Sequence, residues 1–317
     1  MNDDQLPEFN ISEPYNPKGW GISLDPKLPS EHGHWINDQD IENISEHVKG
    51  FKLLTFCNGK YRALARFIDP SKPTIISIPG GQGQINVIDS VNQFPRGLLY
   101  PTNLLAFFPD DVNYIVVDFQ HGLPWNWIPE FYKSGLRKLV RIKSDAFLNF
   151  IDQIDPESTD IKYQVLRVTA DLYRILEEVC EMTTGDRWML GHSGSPTMMA
   201  VMSDSVDLTG KLNGIIMGNP AWRKNWEVLL EHMIYFRNPL NDLSLLVIQH
   251  KNDPCVVTNV EISTKIYEQA VASRKKLELV DGGIDQGAPH FSAGLHGFRG
   301  IESTIVDLIM DFIRPDK

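Results

Sequence analysis

Five short apolar runs constrain this chain more than anything else in it. They are TIISI at residues 74–78, NYIVVDF at 113–119, RWML at 187–190, NGIIM at 213–217 and SLLVIQ at 244–249. A strand with one wet face alternates apolar and polar residues; a run with no polar face is covered on both sides. Helix-type spacing fills the intervals. Val165, Val168, Leu172, Leu176 and Val179 mark one helix across residues 163–182, and residues 196–202 and 257–270 read as two more. KLELV at 276–280 is a last strand, and Ile301, Ile305, Leu308, Ile309 and Phe312 stripe a final amphipathic helix over 300–313. Ahead of all this, two apolar segments at 51–57 and 61–67 flank Asn58-Gly59, a strong hairpin signal. A hairpin followed by strand–helix alternation predicts an α/β fold: a mostly parallel sheet, helices on both faces and an antiparallel edge. No internal repeat is visible.

The 317 residues leave room for one elaborated domain or for two. With 42% hydrophobic and 22% charged residues, disorder and coiled coil are excluded as descriptions of the whole chain. The formal net charge of −11 excludes a general affinity for nucleic acid or anionic lipid. The short basic stretch Arg137-Lys138 to Arg141-Lys143 is interleaved with Leu139, Val140 and Ile142 and reads as a solvated helix face. Cys57, Cys180 and Cys255 are too few and too scattered for a disulfide framework, and no CxxC spacing offers a metal site. His32 and His34 lack a third ligand at recognisable spacing, so neither a metal nor any other cofactor is expected. Residues 1–20 lack the features of a signal peptide, and no apolar run reaches the roughly 18 residues of a membrane span. The reading is a cytoplasmic protein, the alternative an exported (secreted or periplasmic) chain whose signal was removed. Residues 1–50, rich in Asn, Pro, Asp and Glu, are expected to form an extended arm before a domain at 51–317. Within that domain, residues 123–160 break the alternation with Trp125, Trp127, Phe131 and Tyr132, as a small cap over a site would.

Chemistry concentrates at Gly191-His192-Ser193-Gly194-Ser195, between a strand-type and a helix-type run. A serine on so sharp a turn projects its hydroxyl from the sheet at a helix N-terminus, and small residues are needed two positions to either side. Gly191 and Ser195 meet that need, although the usual pattern ends in Gly. A tetrahedral intermediate also needs two N–H donors for its oxyanion. Gly194 supplies one; Gly81 or Gln82, in the Pro79-Gly80-Gly81-Gln82-Gly83 loop after TIISI, supplies the other. That loop lacks the Gly-Lys-Ser/Thr ending of a nucleotide-binding P-loop. Serine needs a base, and the base a carboxylate to orient it. Asp253, directly after the run ending at His250, is placed at the C-terminal end of a late strand. His296 and His290 compete as base, and His296, immediately before the last helix, is preferred. His192 is too close along the chain to serve its neighbour; with Trp125 and Trp127 it is assigned to substrate binding.

The order Ser193, Asp253, His296 behind a glycine loop resembles the α/β-hydrolase superfamily from about residue 51 onward. His296-Gly297-Phe298-Arg299-Gly300-Ile301-Glu302 further resembles bacterial serine hydrolases that end in His-Gly-Phe-x-Gly-x-Glu. Those share a carboxylate followed two residues later by cysteine, as in Asp253-Pro254-Cys255, and often carry a second cysteine near the histidine loop as a disulfide partner. Here that neighbourhood reads Pro289-His290-Phe291, without cysteine. The resemblance implies an eight-stranded, mostly parallel sheet and hydrolysis through an acyl-enzyme, with little said about substrate. The expected activity is cleavage of a small carboxylic ester or thioester. Acyl transfer on the same triad, or a silent ligand-binding protein on the same fold, is the alternative.

Overall fold

A computed structural model describes residues 34–36, 38–81, 83, 85–87, 100–119, 144–154, 160–221, 243–285 and 294–314. Eight strands form the main sheet: β1 (Phe51–Phe56), β2 (Tyr61–Arg66), β3 (Thr74–Ile78), β4 (Asn113–Asp118), β5 (Arg187–His192), β6 (Gly214–Gly218), β7 (Ser244–His250) and β8 (Lys275–Val280). Their order across the sheet is β8-β7-β6-β5-β3-β4-β2-β1. All neighbours from β8 to β4 pair in parallel, and β2 runs antiparallel to both β4 and β1. This is the α/β-hydrolase fold. Among the described residues the helices are α1 (Asp38–His47), α2 (Ser144–Asp152), α3 (Ile161–Met182), α4 (Ser195–Ser205), α5 (Val260–Gln269) and α6 (Glu302–Ile313).

The continuous apolar runs are strands buried on both faces, because successive side chains point to opposite sides. In β3, Ile76 and Ile78 join the core under α2, α3, α4 and α5, whereas Ile75 joins the core under α1 and α6. Met189 and Leu190 of β5, Ile215 and Ile216 of β6, and Leu245 and Leu246 of β7 divide the same way. The hairpin closes through Cys57, Asn58 and Gly59, all at positive φ (53°, 56° and 85°).

Two expectations about the chain's organisation meet the structure only in part. Residues 1–33 lie outside the described residues, but the end of the expected extended arm is ordered. His34–Trp35 pairs antiparallel with Asn86–Val87, and Ile44 of α1, with Val48 just past its end, joins the core on that face of the sheet. Ile41, Ile44 and Val48 are helix-spaced, a signal diluted by eight polar residues within α1. Of the cap-like stretch, residues 120–143 and 155–159, with Trp125 and Trp127, lie outside the described residues. The described portion, α2, sinks Phe147 and Ile151 into the core beside α3. No described helix is long and apolar enough to cross a membrane.

Candidate active site

The C-terminal ends of β5, β6 and β7 lie side by side, and their loops gather the chemistry. Ser193 follows β5 directly and sits at φ 53°, a left-handed conformation that costs a non-glycine residue about 1–3 kcal/mol. Its own backbone bonds hold it there. Ser193 N–H donates to the Gly218 carbonyl at 3.0 Å, and Ala221 N–H donates to the Ser193 carbonyl at 2.7 Å. Gly191 is obligatory: a Cβ would lie 2.9 Å from Met199 Sδ and 2.9 Å from the Pro196 nitrogen. Ser195 does more than stay small. Its buried hydroxyl accepts from His192 N–H at 2.8 Å and reaches the Ile78 carbonyl at 3.0 Å, tying the elbow to the end of β3. α4 begins at Ser195, so the Gly194 N–H sits at a helix N-terminus, where partial positive charge favours an anion.

The glycine loop after β3 leans on this turn. A Cβ on Gly80 would meet His192 Cδ2 at 2.7 Å and Ser193 Cβ at 3.1 Å. Gly81 follows at φ 59°, and Gly83 N–H closes the turn on the Gly80 carbonyl at 3.0 Å. Gln82 lies outside the described residues.

Asp253 and His296 lie together. His296 Nδ1 lies 3.0 Å and 3.2 Å from the two Asp253 carboxylate oxygens, with both side chains almost wholly buried. A carboxylate only accepts, so Nδ1 carries a proton, and in the neutral imidazole the lone pair is then on Nε2. Phe298 turns the chain at φ 55° just after His296, and its ring is fully buried. His290, the rival base, lies outside the described residues, as do His32 and His121.

His192 differs from the expected role. Its ring is fully buried, packed 4.7 Å from the His296 ring and 4.8 Å from Tyr100, and its Nδ1 donates to the Gly218 carbonyl at 3.1 Å. The strand position that aims Ser193 outward turns its neighbour inward. Burial, then the adjacent His296, hold its pKa well below the usual value, partly opposed by the Gly218 carbonyl. It buttresses His296 from below.

Two residues escaped sequence reasoning. Thr258 donates its hydroxyl to Asp253 Oδ2 at 2.6 Å and lies 3.4 Å from His296 Nδ1. Asn219, at φ 42°, donates from Nδ2 to the His296 carbonyl at 2.7 Å and accepts from His250 N–H at 2.8 Å. A threonine before a helix and an asparagine after a strand read as ordinary cap and turn, so only three-dimensional contact reveals them. None of the three cysteines is in a disulfide: Cys57 and Cys180 are half-buried and Cys255 is buried.

No protein-family model matches the chain, and no curated protein matches it. Solved structures do. A dienelactone hydrolase from Anabaena variabilis is 9% identical, with a TM-score of 0.48 over 84% of this chain and 99% of that one. The Pyrococcus furiosus esterase Pf2001 is 11% identical, with a TM-score of 0.48 over 88% and 95%. A serine hydrolase involved in carbazole degradation is 10% identical, with a TM-score of 0.46 over 84% and 99%. At these identities and TM-scores no residue role, substrate or partner passes from them to this chain.

Proposed function

We propose that this chain is a serine hydrolase that cleaves a carboxylic ester or thioester through an acyl-enzyme. Ser193 Oγ attacks the acyl carbonyl while His296 Nε2 takes its proton. Asp253 keeps His296 in the Nδ1-protonated tautomer and stabilises the imidazolium that forms. The oxyanion is met by the N–H groups of Gly194 and of Gly81 or Gln82. His296 returns the proton to the leaving alcohol or thiol, then activates the water that releases the acid. The observation that carries the reading is a left-handed Ser193 in a turn whose next-door His192 ring packs 4.7 Å from His296, together with the buried His296–Asp253 couple. The net charge of −11 favours neutral, apolar-tailed substrates over polyanions. A fluorophosphonate probe tests it: one adduct, on Ser193, and turnover on activated esters and thioesters falling about 10³-fold or more in Ser193→Ala. An unlabelled Ser193 would favour a silent binding protein, and ester products formed with added alcohol would favour acyl transfer.

A further inference from the structure

Cys255 is the part of this region that the proposed reaction does not use. The resemblance gave it a disulfide partner; the chain carries no cysteine there, and the buried thiol forms no disulfide. It follows Asp253 by two residues, and Asp253 Oδ1 accepts from the Cys255 N–H at 2.9 Å, which folds the short segment back on the carboxylate. As a result the ligating atoms of Asp253, Cys255 and His296 all lie within 4.8 Å of one another. A thiol, an imidazole and a carboxylate are a mixed donor set. It suits a borderline-soft divalent cation such as Zn²⁺ and is poorly matched to Mg²⁺ or Ca²⁺, which take oxygen. Three protein ligands with a fourth position open is a common zinc arrangement, and its ligand atoms stand roughly 3.4 Å apart at bond lengths near 2.0–2.3 Å. Asp253 and His296 Nδ1, 3.0 Å apart, already stand within that spacing, so only the Cys255 sulfur must move in, by at most about 1.4 Å, a movement within reach of rotation about its side-chain bond.

We propose that Asp253, Cys255 and His296 form a binding site for Zn²⁺ or a similar thiophilic divalent cation, and that its occupation shuts off the hydrolytic site. On binding, the Cys255 S–H bond breaks and its proton passes to solvent. The thiolate sulfur, one Asp253 oxygen and His296 Nδ1 each donate a pair to the metal. The proton that His296 held on Nδ1 moves to Nε2, so no other charge leaves the protein. The nitrogen that should take the Ser193 proton is then already protonated, and Asp253 is engaged by the metal. The metal site stands on the geometry alone; the inhibition rests on the proposed role of His296.

The test uses the full chain, freed of metal by a chelator. Titration with Co²⁺ is expected to give a near-ultraviolet thiolate-to-cobalt absorption band that saturates at one equivalent. The band should vanish in both Cys255→Ser and Cys255→Ala, each shown to be folded by circular dichroism, and survive in a Cys57→Ser/Cys180→Ser double variant. Absence of the band, or its persistence without Cys255, overturns the site. Zn²⁺ is expected to slow fluorophosphonate labelling of Ser193 at least tenfold, reversed by EDTA, whereas Mg²⁺ does not. Each variant's labelling is compared with its own metal-free rate, and loss of Cys255 should raise the Zn²⁺ needed about tenfold or more. A cobalt band with no slowing overturns the inhibition while leaving the site. Failure of Ser193 to label without any metal overturns the hydrolase reading and leaves the cobalt result to decide the metal site.

Discussion

Substituting Gly80 by alanine tests the physical link between the glycine loop and the serine turn. Gly80 does not occupy a left-handed conformation, so alanine is compatible with its backbone and any effect is steric. The added methyl would lie 2.7 Å from His192 Cδ2, about 0.7 Å short of ordinary contact, 3.1 Å from Ser193 Cβ and 3.2 Å from the His192 carbonyl. His192 has nowhere to go. Its ring is fully buried, with Tyr100 at 4.8 Å and His296 at 4.7 Å. Either the loop lifts away, taking the Gly81 N–H with it, or His192 presses on His296. Overpacking of this kind costs about 1–3 kcal/mol, and a displacement approaching 1 Å at a reacting centre costs about 10²-fold in rate. The expected result is a urea midpoint lowered by the equivalent of about 1–3 kcal/mol and Ser193 labelling slowed about ten- to a hundredfold. Gly210→Ala is the control. It has open space but sits at φ 70°, so it introduces about 1–2 kcal/mol of strain, and its carbonyl accepts from Arg187 at the start of β5, the end opposite Ser193. If Gly80→Ala changes neither stability nor labelling, or if Gly210→Ala slows labelling equally, the loop does not brace the serine turn.

Ser195→Ala strands the buried His192 N–H and should cost about 1–3 kcal/mol in urea unfolding, with slower Ser193 labelling. Asn219→Ala releases the His296 carbonyl and the His250 N–H together; the expected loss is about 2 kcal/mol or more, with kcat falling more than KM rises on an activated ester. The pH dependence of stability should report His192. Its folded pKa is depressed, so the unfolded chain binds a proton that the folded chain refuses. Stability is therefore full above the unfolded value near 6.5 and falls as pH drops below it toward the depressed folded value, by at most about 1.4 kcal/mol per pH unit. Urea midpoints from about pH 7.5 to 5 should fall more steeply for the native sequence than for His192→Gln; equal slopes would show that His192 titrates normally.

The sheet was legible because every buried strand announced itself as an apolar run and no competing period was present. Residues 74–78 and 113–119 matched β3 and β4 to within a residue. RWML and SLLVIQ fell short at their C-terminal ends, where β5 continues through Gly191 and His192 and β7 through His250. Polar residues there look like loop, yet their backbones still pair and their side chains turn inward. The serine turn was legible for a steric reason, since few sequences place glycine and serine around a central serine between strand and helix. The role of Ser195 was half visible: smallness could be inferred, but not a hydroxyl bonded to the end of the neighbouring strand β3. The inward direction of His192 follows from alternation along β5, which continues past the apolar run that ends at Leu190.

The polar groups that sequence did not reveal share one task. Ser193, Asp253 and His296 come from three different loops, and loops alone would not hold them in register. The end of β6 cross-links them: Gly218 and Ala221 pin the Ser193 backbone, Asn219 holds the His296 carbonyl, and the same Asn219 holds the His250 N–H. His250 extends the web. Its Nδ1 accepts from the Asn252 N–H at 3.1 Å, so its proton sits on Nε2 and is donated to the Gly282 carbonyl at 2.8 Å. Asn252 is the residue just before Asp253. One chain of bonds, buried through Asn219 and part-buried at His250, thus runs from the serine turn to the histidine loop and on to the acid loop. Each link leaves a buried polar group unpaired when it breaks, so no loop can loosen alone without a cost of about 1–3 kcal/mol. The positioning of these three groups is therefore coupled to the stability of the strand ends themselves, and substitutions at Asn219 or His250 should disturb Ser193 and His296 together rather than either one singly.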